Sequence, residues 1–424
     1  MRRHILTSGD DRFQDHARSD PNDLVLGLGG NDLIFSDFGT DTVMAGSGDD
    51  RIYAQHAGQF FGGAGADYVS LSLLNGGALD SASVLHGGAG QDTLALILTD
   101  QDHTYDSLVL GPNESGWKLS LDNLVPAVAV QFEVVSLDVT GLRVDNIQFI
   151  GGDGNDSLTA STGNIIFFGG NGDDSVLIRD ADGVLMLDGG EGNDRLELDN
   201  SAGQTSFIVM DVTSGQFNLG GATGSSVFGF ETYAIQATAF SDRLVLGDGD
   251  DVVTQFDLGG GDDLYDLGGG ADIAWGGKGN DTMLGGAGAD FLMGEAGNNV
   301  IEGGRGGDDL VGTLGNNLFV YGDVAQSHGT GAAMDVIENF LGQDGTSHVN
   351  RIDLSGIDAV PGGGEDAFVF VGTAAFTGAG QVRLVEAGGG TYVEVSTLGG
   401  AEPDMQIWLS GVAAASLSAA DFVL

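Results

Sequence analysis

Cysteine is absent from the 424-residue chain, so disulfides and thiolate metal sites are excluded. Proline occurs only 5 times and no Gly-X-Y period runs through the chain, which rules out collagen-like and proline-rich linker architectures. Basic residues are scarce: 14 Lys plus Arg stand against 62 acids, for a net charge of -48. Nucleic acid, anionic membranes and other polyanions are therefore poor partners. No apolar run approaches the roughly 18 residues of a membrane-spanning helix, and the N-terminus lacks the apolar stretch of a Sec signal. Motifs of chemistry are missing too. There is no H-E-x-x-H, no G-x-S-x-G and no Walker sequence, and the only two lysines are Lys118 and Lys278. No enzyme activity is expected from these motifs.

What is present is glycine and aspartate. Glycine contributes 76 residues, while hydrophobic residues reach 41% with 22 Phe, enough to bury a core. Of the acids, 50 are Asp and only 12 are Glu. Acid kept for solubility has no reason to avoid Glu, whereas Asp suits turns and short-reach oxygen ligation.

The two residues belong to one nine-residue unit. Residues 258–320 divide without a gap into seven nonapeptides, and units such as Gly276–Leu284 and Gly285–Met293 match the pattern G-G-x-G-x-D-x-U-x throughout, U being apolar. Their sixth positions are Asp263, Asp272, Asp281, Asp290, Asn299, Asp308 and Asn317. Their fourth positions begin Gly261, Gly270, Gly279 and Gly288, and their eighth positions run from Tyr265 to Phe319, all apolar. The same register places Asp23, Asp32, Asp41 and Asp50 in 18–53, and Asp156, Asp174 and Asp194 in 151–197. Shorter copies carry Asp67, Asp92, Asp242 and Asp251.

Six glycine- and aspartate-rich residues make a turn with positive φ, and three residues around the apolar position make a short strand. Two units close one coil with a strand on each side, so units n and n+2 stack. Asp263 then lies over Asp281, and Asp272 over Asp290 and Asp308, about one strand spacing of ~4.8 Å apart. Carboxylates at that distance repel unless a cation lies between them, and hard oxygen ligands select Ca²⁺. The expected fold is all-β: a parallel β-roll of these nonapeptides, with rows of calcium along both edges, β-hairpin inserts and a C-terminal β-rich cap. Asn299 and Asn317 predict weaker or empty sites, and Ile165, at a sixth position, predicts none.

On these repeats the chain resembles the RTX (repeats-in-toxin) proteins. The expected organisation is a first roll tract over 1–95, an insert over 96–150, a second tract over 151–197, an insert over 198–236, the main tract over 237–320 and a cap over 321–424. Alternation in Trp117–Leu121 and Ser206–Met210 predicts hairpins that dock on the coil. Segments Asp335–Phe340, Arg351–Asp358, Ala367–Val371, Phe376–Gly378, Tyr392–Val395 and Ile407–Gly411 resemble the C-terminal domain of serralysin-type metalloproteases. The ending Asp421-Phe-Val-Leu424 is similar to the uncleaved tail of type I secretion substrates. These resemblances imply a secreted, extracellular or cell-surface protein that meets the type I secretion machinery unfolded and folds outside on calcium. A site filled at about 100 times its dissociation constant contributes about 2.7 kcal/mol. Almost the whole chain is scaffold, which points to a surface-layer, matrix or adhesion role with Ca²⁺-dependent self-association. The alternative is a polysaccharide-active enzyme or carbohydrate-binding module in the inserts, where Asp100–Asp106 gathers His103 and Tyr105 among acids.

Overall fold

A computed structural model describes residues 2–15, 22–37, 39–74, 84–105, 108–113, 116–121, 127–130, 134–161, 163–179, 183–199, 207–219, 224–255, 260–328, 333–340, 349–362, 364 and 366–424. The chain forms two units. One comprises Met1–Asn200 with Gly221–Phe230, the other Ser201–Gly220 with Glu231–Leu424.

In the first unit the nonapeptide period produces two parallel sheets. Strands Arg2–Ile5, Asp23–Leu26, Thr42–Ser47, Gln59–Ala64 and Val84–Ala89 pair in succession on one side. On the other run Arg12–Gln14, Leu33–Ser36, Arg51–Ala54, Tyr68–Leu74, Thr93–Tyr105, Val134–Val144, Ser157–Ala160, Ser175–Arg179 and Arg195–Asp199. The apolar eighth positions face inward: Val25, Val43, Ile34 and Ile52 are all buried. Ile165 also faces the core, in register with Ile147 and Leu185, so it packs and does not ligate.

The first insert is built into the coil and not docked on it. Leu108–Asn113, Gly116–Leu121 and Ala127–Val130 form an antiparallel meander. Its outer strands pair in parallel with Asn146–Ile150 on one side and Val84–Ala89 on the other. An alternating strand offers a ladder edge as well as a face, and here the edges are what the roll uses. In the second unit the hairpin Ile208–Asp211 with Gln216–Leu219 likewise joins the roll by parallel pairing to Arg243–Val245. Ser206, at the start of the expected Ser206–Met210 hairpin strand, lies outside the described residues.

The second unit carries the most regular coils. Leu264–Asp266, Thr282–Ala287, Val300–Arg305 and Leu318–Val320 stack in parallel, opposite Ile273–Trp275, Phe291–Met293 and Asp309–Val311. Between them Tyr265, Ala274, Met283, Leu292, Ile301, Leu310 and Phe319 are each 0% exposed. The coil outlasts its sequence period. Asp335–Glu338 and Met405–Ser410 extend one sheet, Arg351–Asp353 and Phe422–Val423 the other. Beyond them Gln381–Ala387, Gly390–Ser396 and Met405–Ser410 form an antiparallel meander.

Candidate metal centre: the stacked aspartate rows

Each sixth-position residue sits where turn gives way to strand, and its side chain turns inward. Asp23, Asp32, Asp41, Asp50, Asp156, Asp174, Asp194, Asp242, Asp251, Asp263, Asp272, Asp281, Asp290 and Asp308 are all at most 3% exposed. One carboxylate oxygen is committed to the neighbouring coil. The main-chain N–H of Asp263 donates to Oδ1 of Asp281 (3.0 Å), that of Asp272 to Asp290 (2.9 Å) and that of Asp290 to Asp308 (3.0 Å). In the first unit Asp32 donates to Asp50 and Asp156 to Asp174, each at 2.7 Å. The stacking anticipated from the period is present, with a hydrogen bond at every step that the period alone did not reveal.

The second oxygen divides the residues. Oδ2 of Asp32, Asp50, Asp174, Asp272, Asp281, Asp290 and Asp308 is buried without a hydrogen-bond partner. Elsewhere it is engaged: in Asp41 by the Ser36 hydroxyl (2.6 Å), in Asp156 by the Gly152 N–H (2.9 Å), in Asp242 by the Thr238 N–H (2.6 Å) and in Asp263 by the Tyr265 hydroxyl (3.2 Å). In Asp23 it lies 3.4 Å from His4 Nε2. Asp194 and Asp251 accept at Oδ1 from the N–H groups of Asp174 (2.6 Å) and Tyr233 (2.8 Å).

The orphaned oxygens face a cradle of further oxygen. A Cβ on Gly285 would strike both Asp290 Oδ2 and the Gly303 carbonyl, and one on Gly27 both Asp32 Oδ2 and the Ala45 carbonyl. The first glycine of a unit thus keeps open a space lined by a carboxylate and a main-chain oxygen. The fourth glycine closes the coil: Gly261, Gly270, Gly279 and Gly288 have φ of 147°, 124°, 141° and 151°. A Cβ on Gly279 would collide with the Gly261 carbonyl beneath it. Among the described residues no three His, Asp or Glu side chains converge on one point. An ion here would draw on at most two of these side chains, with main-chain carbonyls completing the ligand set.

Burial, reinforced by neighbouring carboxylates of the rows, raises the acids. Asp174, Asp272, Asp281 and Asp308 are pushed up to about 7, and Asp50 and Asp67 to about 6. Burial alone brings Asp156 to about 6. Without a cation, Asp174, Asp272, Asp281 and Asp308 are partly protonated near neutral pH.

The ladder also contains members outside the unbroken repeats. Asp50 donates to Asp67 and Asp67 to Asp92, both at 2.9 Å. The Asp11 N–H donates to Asp32 (2.9 Å), that of Asp308 to Asp335 (3.1 Å) and that of Asn317 to Asn350 (2.8 Å). Asp11 escaped the sequence reading because its Gly9-Asp10-Asp11 turn lies three residues off the nine-residue register, and Asp335 and Asn350 because no glycine stands two residues before them. Their D-x-U or N-x-U signature, as in Asp335-Val-Ile337, was the available signal. Rows on both edges occur in the second unit. On the Asp23–Asp41 edge of the first, the next strand follows Gly58 and the acid row stops. The Asp100–Asp106 cluster has its side chains outside the described residues.

The family model of the RTX calcium-binding nonapeptide repeat, in four copies, matches residues 22–52, 149–177, 234–254, 257–292 and 284–319. The chain carries RTX calcium-binding repeats. Several calcium ions bind across such repeats. No curated protein matches the chain. Among solved structures it is similar to the AlgE6R3 subunit of the Azotobacter vinelandii mannuronan C5-epimerase, at 24% identity and a TM-score of 0.22, covering 43% of this chain and 78% of that one. The RTX match omits Asp67, Asp92, Asp194 and Asp335, which the hydrogen-bond ladder joins to the matched rows.

Proposed function

We propose that the protein is a secreted calcium-binding scaffold, of structural or interaction type, whose roll closes when extracellular Ca²⁺ fills the aspartate rows. The observation that carries this reading is the set of buried, unpartnered Oδ2 atoms facing main-chain carbonyls. Two oxygens held against each other in a buried space repel, and a hard cation converts the repulsion into ligation. Asp32, Asp50, Asp174, Asp272, Asp281, Asp290 and Asp308 would hold ions, with the glycine-turn carbonyls beside them. Asp23, Asp41, Asp156, Asp194, Asp242, Asp251 and Asp263 would continue the rows. Gly261, Gly270, Gly279 and Gly288 would set the turns.

Export by a type I system is part of this proposal, with Asp421–Leu424 as the segment the transporter would read. Phe422–Val423 is a strand paired with Arg351–Asp353, and Phe422 is buried against Phe370, ring centroids 5.3 Å apart. A tail so placed is legible to a transporter only before the chain first folds, and scarce calcium keeps the aspartate-edged coils from folding. Outside, calcium folds the coils, and self-association at a surface or matrix follows. Calcium titration watched together by circular dichroism and light scattering tests both steps. Strand signal must rise with calcium, and reversible assembly must follow it. A signal indifferent to calcium defeats the reading, and a strict monomer defeats the assembly step.

A further inference from the structure

Along one edge of the second unit the row reads Asp263, Asp281, Asn299, Asn317, Asn350. Along the other it stays acidic through Asp272, Asp290, Asp308 and Asp335. The asparagines do more than lose a charge. Asn299 keeps the ladder bond, its Oδ1 accepting from the Asp281 N–H at 2.9 Å. Its Nδ2, placed where an aspartate has its orphaned Oδ2, donates to the Gly294 carbonyl at 2.7 Å. That carbonyl belongs to the first glycine of its own nonapeptide. It also lies on the Cβ position of Gly276, next to Asp281 Oδ2, and so forms part of the cradle one coil back.

The pattern continues to the end of the row. Asn317 Nδ2 donates to Asn350 Oδ1 at 3.1 Å, and Asn350 Nδ2 donates to the Phe340 carbonyl at 2.6 Å. All three residues are at most 2% exposed. On the rim just outside, Asn298 and Asn316 each donate twice, through N–H and Nδ2, to the asparagine one coil back, at 3.0–3.1 Å. An amide nitrogen facing a carbonyl is a hydrogen bond, whereas a carboxylate facing the same carbonyl needs a cation.

Resting on the calcium reading above, we infer that the last coils hold calcium along one edge only, and that asparagine amides take the ion's place along the other. Asn299 thereby claims the Gly294 carbonyl and also weakens the calcium site at Asp281. The Asn299–Asn350 edge stays closed when calcium is withdrawn, while the Asp272–Asp308 edge opens. The coils are hinged on a neutral seam.

Hydrogen exchange on the full chain, with calcium and with chelator, reads the two edges separately. The amides of Asp272, Asp290 and Asp308 should exchange about tenfold or more faster in chelator, and those of Asn299 and Asn317 less than about twofold faster. Equal loss of protection on both edges overturns the inference. The Asn299→Asp variant should bind at least one more calcium ion by titration calorimetry and make its own edge chelator-sensitive. An unchanged ion count, with the edge still insensitive to chelator, overturns it as well. If wild-type chain binds no calcium and neither edge responds, the calcium reading itself fails and takes this inference with it.

Discussion

The coils of 258–320 and the meander of Gln381–Ser410 belong to the same unit and are both built of short strands, yet they solve the burial of charge in opposite ways. In the coils Asp272, Asp290 and Asp308 are buried with an oxygen that no protein group satisfies. In the meander the buried acid is fully answered: Glu394 accepts from Arg383 Nε at 2.6 Å and from Gln406 Nε2 at 2.8 Å. The strand Met405–Ser410 alternates buried and part-buried residues, and the Tyr392 and Trp408 rings meet at 4.5 Å. A sheet that carries its own counter-charges folds on packing alone. One that leaves them out makes its folding conditional on what the solvent supplies.

The largest expected effect separates the two directly. Chelation at neutral pH should abolish the strand signal of the coils edged by aspartate, sparing the Asn299–Asn350 seam and the meander, and restored calcium should return it. Retention of the full signal in excess chelator would falsify the calcium dependence of the coils.

Acidification is the second way to break the contrast. The ion-free carboxyls sit at about 6 to 8 in the folded state against 3.8 for an ordinary Asp. Their folded values are raised, so the folded chain binds more protons between about pH 4 and 8. The stabilisation from protonation is complete below about pH 4 and is lost as pH rises through 6 to 8. In chelator, melting temperature should therefore climb as pH falls from 8 towards 5. A flat or reversed profile would mean that the rows are not what destabilises the ion-free coils.

The next two effects should be set apart by their response to calcium. Replacing Arg383 with Met strands the buried Glu394 and should cost about 3 kcal/mol, at the lower end for a broken buried pair. Because that pair lies in the meander, the loss in a denaturant titration should be the same at low and saturating calcium. Gly279→Ala puts a side chain at φ 141° and into the Gly261 carbonyl, at a cost of about 2 kcal/mol. It should move the calcium midpoint of folding upward, and a midpoint equal to wild type would sink the steric argument.

The regular coils were legible because a strict nine-residue period leaves little to tertiary chance. With glycine at the fourth place and an apolar residue at the eighth, register, inward face and the stacking of Asp272, Asp290 and Asp308 all follow. Less was legible where the period faltered. The insert strands Leu108–Asn113 and Ala127–Val130 read correctly as hairpin material, but a hairpin pattern carries no record of which ladder edge it will join. Asp335 and Asn350 lie 27 and 33 residues beyond their partners, and only the folded coil shows that they occupy the same rows.

Composition and period alone determined that this chain is a β-roll, that an aspartate recurs at the sixth position of its repeat, and that calcium suits that position. Those conclusions rest on local sterics and charge, which sequence spacing encodes. The tertiary structure alone decided which oxygens are already taken. Asp41, Asp156 and Asp242 read in sequence like Asp290, yet Ser36, Gly152 and Thr238 satisfy them, while Asp290 Oδ2 is left without a donor. Ligation depends on the unsatisfied atom and not on the residue type, and only three-dimensional neighbours determine which atoms remain unsatisfied.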